Sequence, residues 1–247
     1  VNETLSLLMN HRSIRKFSDK EVTREQLERI IAAGQMASTS SNVQAYSVIA
    51  VTDFEQKRAL SALSGNQSYI EKCPVFLVWC ADLYRLQKVS EAHLGDQPGY
   101  ADSVENFIVA TVDAALAAQN AAIAAESMGL GIVYIGGVRN HIAQFSERLN
   151  LPEQVYPVFG MCIGYPDQNP GIRPRLPLEG VLHHGVYDAS KTVEAVQAYD
   201  DTYTEYMRAR SGGKSASAWS QVMAKRLSEP VRLHMMDFLQ SKGLMKR

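Results

Sequence analysis

The stretch VENFIVATVDAALAAQNAAIAAESMGLG, residues 104–131, constrains the fold more than any other part of the chain. It is the longest helical pattern present, stopped by Gly129 or Gly131, and alanine, the strongest helix former, recurs through it. Side chains this small let other helices approach closely, so the segment predicts a long, tightly packed helix.

Shorter elements surround it. NETLSLLMNH spaces Leu5, Leu8 and Met9 at i, i+3 and i+4, predicting a short amphipathic helix that ends near His11. VTREQLERIIAAGQMAS opens with Thr23 and Gln26 at capping-box spacing and repeats Leu27, Ile30, Ile31 and Gly34 on one face. It runs into small and amide residues from Ser38 to Asn42, which favour a loop. AYSVIAVT, PVFLVWCAD, GIVYIGGV and YPVFGMCIGYP are β-branched or aromatic runs that predict four strands, the second buried on both faces. FEQKRALSALSG and NHIAQFSERLNLP are helical patterns among them. Strands alternating with helices fit an α/β or an α+β sandwich. The proline-rich DQNPGIRPRLPLEG forbids helix and predicts an extended arm. A helix from about 192 to 210, a flexible SGGKSAS and a last helix pair follow. With no repeat and no linker, residues 1–247 read as a single domain with a C-terminal helical extension and a mobile segment at about 208–218.

A formal net charge of −1 excludes a surface given over wholly to nucleic acid, so any cationic function is local. Cys73, Cys80 and Cys162 form no C-x-x-C pair and leave an odd count, which predicts buried thiols, a reducing compartment and no metal site. The N-terminus shows no secretory pattern, and no stretch is read as the roughly 20 apolar residues needed to span a bilayer. The expectation is a cytoplasmic protein with no membrane and no nucleic-acid partner.

Four motifs carry chemistry. HRSIRKF places His11, Arg12, Arg15 and Lys16 within six positions. If extended, it sets His11, Ser13 and Arg15 on one face over about 13 Å, long enough to follow an anionic ligand; a solvated basic corner is the alternative. GLGIVYIGGVRN puts a glycine pair after a strand, where backbone N–H groups can approach a ligand, although a tight turn has the same pattern. NPGIRPRLP presents Arg173 and Arg175 at i and i+2 as a two-pronged phosphate clamp or a solvated arm. SGNQSYIEK offers the Gln67 amide, suited to the edge of a heterocycle or simply a polar loop residue.

Taken in order, H-R-S-I-R, A-S-T-S-S, G-N-Q, G-L-G-I-x-Y-I-G-G-x-R-N and R-P-R-L-P resemble the flavin reductase and oxygen-insensitive nitroreductase family, in its NADPH-preferring group, over nearly the whole chain. The resemblance implies an α+β sandwich, with a central mostly antiparallel sheet flanked by helices, in an intertwined homodimer holding FMN at the interface. It implies that His11, Arg12, Ser13 and Arg15 run along the flavin and that Ser38, Thr39 and Ser40 come from the partner subunit. Gln67, Ser68 and Tyr69 edge the ring, Tyr134, Ile135, Gly136 and Gly137 lie beside it, and Arg173 and Arg175 hold the phosphate. The family commonly has Lys where Arg173 stands; the charge survives. The alanine-rich helix resembles the family's long interface helix, an ordinary core helix being the alternative.

The resemblance further implies NADPH, or NADH, as co-substrate: Arg210 matches the first of the arginines placed for the nucleotide 2′-phosphate, Lys214 or Ser215 stands at the second position, and Arg208 is the substitute for it. No side chain is assigned as an obligatory acid or base: hydride passes through FMN N5, and Arg15 tunes the flavin. The expected activity is ping-pong two-electron reduction of nitroaromatics, quinones or free flavin, under a lid formed by SGGKSAS. A flavin-binding sensory module without turnover is the alternative, and a polyanion-binding adaptor a more distant one.

Overall fold

The four apolar runs form β1 (Tyr46–Val51), β2 (Val75–Asp82), β3 (Gly131–Ile135) and β4 (Val155–Gly164). They make one sheet in the order β1-β2-β4-β3, antiparallel throughout. This computed structural model describes residues 2–247. It comprises two units, one running to Pro170 and resuming from Arg232 to Arg247, the other Gly171–Val231.

In the first unit the helices are α1 (Glu3–Met9), α2 (Arg24–Gln35), α3 (Phe54–Leu63), α4 (Ser68–Lys72), α5 (Tyr84–Leu94), α6 (Val104–Ser127) and α7 (Ile142–Arg148). In the second they are α8 (Ser190–Ser211) and α9 (Trp219–Ser228); α10 (Met235–Ser241) returns to the first. Every residue of β2 is buried, because both faces of the sheet are covered. Val75, Leu77 and Trp79 point to the cluster built on α2 and α6, while Phe76, Val78 and Cys80 point to Leu60, Ile70 and Phe145 from α3, α4 and α7. The result is a helix–sheet–helix α+β sandwich.

The capping box of α2 forms as its sequence predicts: Gln26 N–H donates to the Thr23 hydroxyl at 3.2 Å, and Thr23 N–H donates to Gln26 Oε1 at 3.0 Å. The alanines of α6 do what small side chains allow. Ala117, Ala118, Ala121, Ala122 and Ala125 lie against the sheet and α2, so close that a Cβ on Gly34 would sit 3.0 Å from the Ala117 carbonyl.

One expectation needs correction. The helix α6 is long and apolar enough, by length and composition, to cross a membrane, because alanine, valine and isoleucine raise its mean hydropathy to 1.5. In this fold its alanine side packs on the sheet. The other side stays open: Val104, Ile108, Val112 and Leu116, four residues apart, are 42%, 49%, 47% and 45% exposed. The short helix α1 forms where the spacing predicts it, and it buries no residue, leaving Leu5, Leu8 and Met9 exposed.

In the second unit residues 171–177 have no regular structure, as the prolines require, and Tyr199 holds this arm by donating to the Pro174 carbonyl at 2.8 Å. Asp200 joins α8 to α9 by accepting from Ser220 N–H and Oγ at 2.8 and 2.5 Å. Gly212 ends α8 in the left-handed region, φ 61°, opening residues 212–218.

Candidate functional site

The basic stretch after α1 is extended and lies beside β3. Ile14 N–H donates to the Ile132 carbonyl at 2.9 Å, and Phe17 bridges to Pro166. Ile14 is buried over Gly131, where any Cβ would collide with it. Alternation then turns Ser13 and Arg15 the other way. Arg15 and Lys16 are exposed, and Arg15 has no hydrogen bond or ion pair among the described residues.

The other two cations have partners within the chain. His11 Nδ1 lies 2.6 Å from Glu126 Oε1, near the C-terminus of α6, with side chains 28% and 13% exposed. Facing a carboxylate, Nδ1 carries the proton, which leaves Nε2 for other contacts. Arg12 donates to the Asn10 carbonyl at 3.2 Å and to Asn169 Oδ1 at 2.5 Å. The crowding of cations is therefore half relieved by Glu126 and Asn169, which the sequence did not single out.

At the other end of β3, Gly136 and Gly137 enter a short 3-10 turn. A Cβ on Gly137 would collide with Gln67 Nε2 and the Ser64 carbonyl, so glycine is required by close approach. Gln67 Nε2 donates to the Ser64 carbonyl at 2.6 Å, and the Tyr69 hydroxyl donates to Gln67 Oε1. The amide is thus oriented, with one N–H and one lone pair left over. Ser68 is exposed at the start of α4. Ile135 is buried, while Tyr134 meets Phe159 edge-on at 5.2 Å and donates to Gln119 Oε1 at 3.3 Å. Burial, and then the charge of Glu126, push the Tyr134 hydroxyl well above its ordinary pKa. One strand of five residues, about 17 Å long, therefore brings residues 11–15 and 67–69 to its two ends.

Ser38, Thr39 and Ser40 sit elsewhere. Ser40 N–H donates to Asp113 Oδ1 and Ala45 N–H to Asp113 Oδ2, each at 3.1 Å. Asp113 is 1% exposed, and its two oxygens bracket a turn in which Ser41, Asn42 and Gln44 have φ of 47°, 57° and 52°. Asp113 and Glu126 are thirteen residues apart on α6, so Ser40 and His11 of one chain are held about 20 Å apart along the helix axis. The signal for both carboxylates was present, as lone acids within an alanine-rich run.

In the second unit Arg173, Arg175, Arg208, Arg210 and Lys214 are all exposed, and none forms an ion pair among the described residues. Arg210 Nη1 donates to the Tyr206 hydroxyl at 2.6 Å. Burial pushes the Tyr206 pKa up, but the hydrogen bond from Arg210 and the nearby charges of Arg210 and Arg173 outweigh it and leave the value below the ordinary one. Burial raises Tyr199, against the charges of Arg173 and Arg175. Arg210 thus sits on Tyr206 at the end of α8, while Arg173 and Arg175 act on the α8 tyrosines through their charge. Lys214 lies in the segment tied by Ser215 N–H to Ser211 Oγ at 2.8 Å, and the Arg208 carbonyl accepts from Gly213 N–H at 2.8 Å. The three cysteines are buried and free; burial, with the charge of Asp82, pushes Cys80 up to about 12, keeping it a neutral, small apolar group.

The first unit is an antiparallel α+β sandwich with an oriented Gln67 amide and an exposed apolar face on α6. The chain belongs to the nitroreductase family: the family domain matches residues 8–165 and the family's C-terminal domain residues 173–247. It is 43% identical over 248 residues to an FMN reductase (NADPH) of Bacillus subtilis, and 43% identical over 248 residues to an NADPH-flavin oxidoreductase of Vibrio harveyi, covering all of both chains in each case. The structure of the NfrA1 nitroreductase from B. subtilis superposes with a TM-score of 0.94 at 42% identity, over 99% of this chain and 100% of that one.

Proposed function

We propose that this chain is an FMN-dependent oxidoreductase that takes electrons from NADPH and reduces small acceptors, among them flavins, quinones and nitroaromatics. Membership of the nitroreductase family and likeness to an FMN reductase (NADPH) and an NADPH-flavin oxidoreductase support it. The observation that carries it is the set of cations lacking carboxylate partners, Arg15 in one unit and Arg173, Arg175 and Arg210 in the other.

The residues fit that cofactor. Ser13 and Arg15 face away from the core beside β3, and the Gln67 amide keeps one donor and one acceptor, as the edge of a heterocycle needs. When bound, FMN supplies two-electron transfer, for which side chains alone have no equivalent. Around it Arg15 places uncompensated positive charge, and the backbone of Tyr134 to Gly137 lines one side. Arg173 and Arg175 take the phosphate; a bidentate fork suits it. His11, its Nδ1–H given to Glu126, presents Nε2, while Arg12 is steadied by Asn169. Arg210, with Arg208 and Lys214, faces the 2′-phosphate of NADPH.

The working form in this reading is a homodimer in the cytoplasm. Ser38 to Ser40 lie about 20 Å along α6 from His11, so they complete the site of a second copy rather than their own. The open stripe Val104, Ile108, Val112 and Leu116 lies on the same helix and is the apolar surface such a copy covers.

The test is the visible spectrum of the purified protein before and after anaerobic NADPH. A yellow protein that bleaches, and regains colour with a quinone, is expected; a protein still colourless after added FMN overturns the reading.

A further inference from the structure

The helix α8 carries Tyr199, Tyr203, Tyr206 and Arg210 at spacings of four, three and four, so all share one face. Ring centroids lie 5.8 Å apart for Tyr199 and Tyr203 and 6.3 Å for Tyr203 and Tyr206. Trp219 stands edge-on to Tyr199 at 5.7 Å. The arm lies along this ladder, held by Tyr199 at Pro174. From the end of the helix Arg210 reaches back to the Tyr206 hydroxyl at 2.6 Å, its guanidinium carbon 5.9 Å from the ring centroid.

A phenolic oxygen has lone pairs free to accept from a guanidinium. Arg210 is exposed and long, so without this acceptor it would sample many rotamers and lose that freedom on meeting a phosphate. An acceptor that fixes the side chain beforehand lowers that cost of binding. A cation at a helix C-terminus also suits the helix dipole, but the dipole does not choose a rotamer. The hydroxyl does.

We propose that Tyr206 is a positioning residue for nucleotide selection: its hydroxyl holds the Arg210 guanidinium in place for the 2′-phosphate of NADPH. This rests on the assignment of Arg210 made above. Tyr206→Phe keeps the ring in the ladder and removes only the acceptor.

Steady-state kinetics with a quinone acceptor and saturating FMN would compare the holoenzyme with Tyr206→Phe, Arg210→Ala and the double variant, using NADPH and NADH. Tyr206→Phe should raise KM for NADPH about five- to tenfold, the loss of one hydrogen bond from a charged donor, while leaving kcat and the KM for NADH within about twofold. In the Arg210→Ala background it should add less than about twofold. If Arg210→Ala raises KM for NADPH and Tyr206→Phe does not, or if its effect persists without Arg210 or is equal for NADH, the positioning role falls alone. If Arg210→Ala itself leaves KM for NADPH unchanged, the assignment of Arg210 falls and this inference with it.

Discussion

Replacing Asp113 with Asn keeps the shape of a side chain that is 1% exposed and removes its charge. The carboxylate accepts from Ser40 and Ala45 N–H at 3.1 Å each, and hydrogen bonds to charged groups are worth about 1.5–3 kcal/mol apiece. Asn keeps one oxygen and turns an NH2 toward the other amide, so one bond is lost and two donors face each other, at a cost of about 2–4 kcal/mol. The clamp also restrains Ser41, Asn42 and Gln44 in left-handed conformations that each cost roughly 1–2 kcal/mol, so its loss lets the turn relax and moves Ser38 to Ser40. For a chain of this size 1 kcal/mol shifts Tm by about 2–4 °C, which gives a fall of about 5–15 °C. Calorimetry at fixed protein concentration should show it, and a fluorescence titration should show FMN affinity falling about tenfold or more. A Tm within about 2 °C of the parent refutes the clamp. A lower Tm with unchanged FMN affinity refutes its connection to the site.

Leu116→Asp puts a charge into the open stripe of α6; sedimentation should show monomers without bound FMN, and a yellow dimer would refute the interface. Glu126→Gln removes the charge facing His11 and should weaken FMN binding about three- to tenfold by titration, an unchanged affinity showing that His11 needs no such partner. Burial raises Tyr156 from the ordinary 10.0 to about 12. Its neutral form therefore contributes stability that is fully present below pH 10 and lost as pH climbs toward 12. Melting curves from pH 8 to 11 should fall above pH 10, less so in Tyr156→Phe, and a flat profile in the parent would contradict this.

Elements were legible where a local pattern is also the physical cause. Thr23 and Gln26 form the cap they spell, and the four β-branched runs are the four strands. By contrast α4 and α5 left no such mark, being short or polar helices whose caps, Gln67 and Leu83, make no side-chain hydrogen bond to the helix. The candidate residues stood out as motifs, whereas their arrangement in space did not. The bond from Ile14 to Ile132 and the reach of Asp113 and Glu126 to Ser40 and His11 join residues far apart in the chain, which periodicity does not report.

The helix α6 shows the same limit most plainly. A helix apolar on every side belongs inside a protein, and from its sequence alone α6 has no preferred face to bury. The fold buries the alanine side and leaves Val104, Ile108, Val112 and Leu116 exposed. The same helix keeps Ser40 and His11 about 20 Å apart. In the proposed dimer a second copy of the chain would cover the apolar face and supply the residues that one chain holds far apart, which is why the interface and the cofactor site should be lost together when Leu116 is charged.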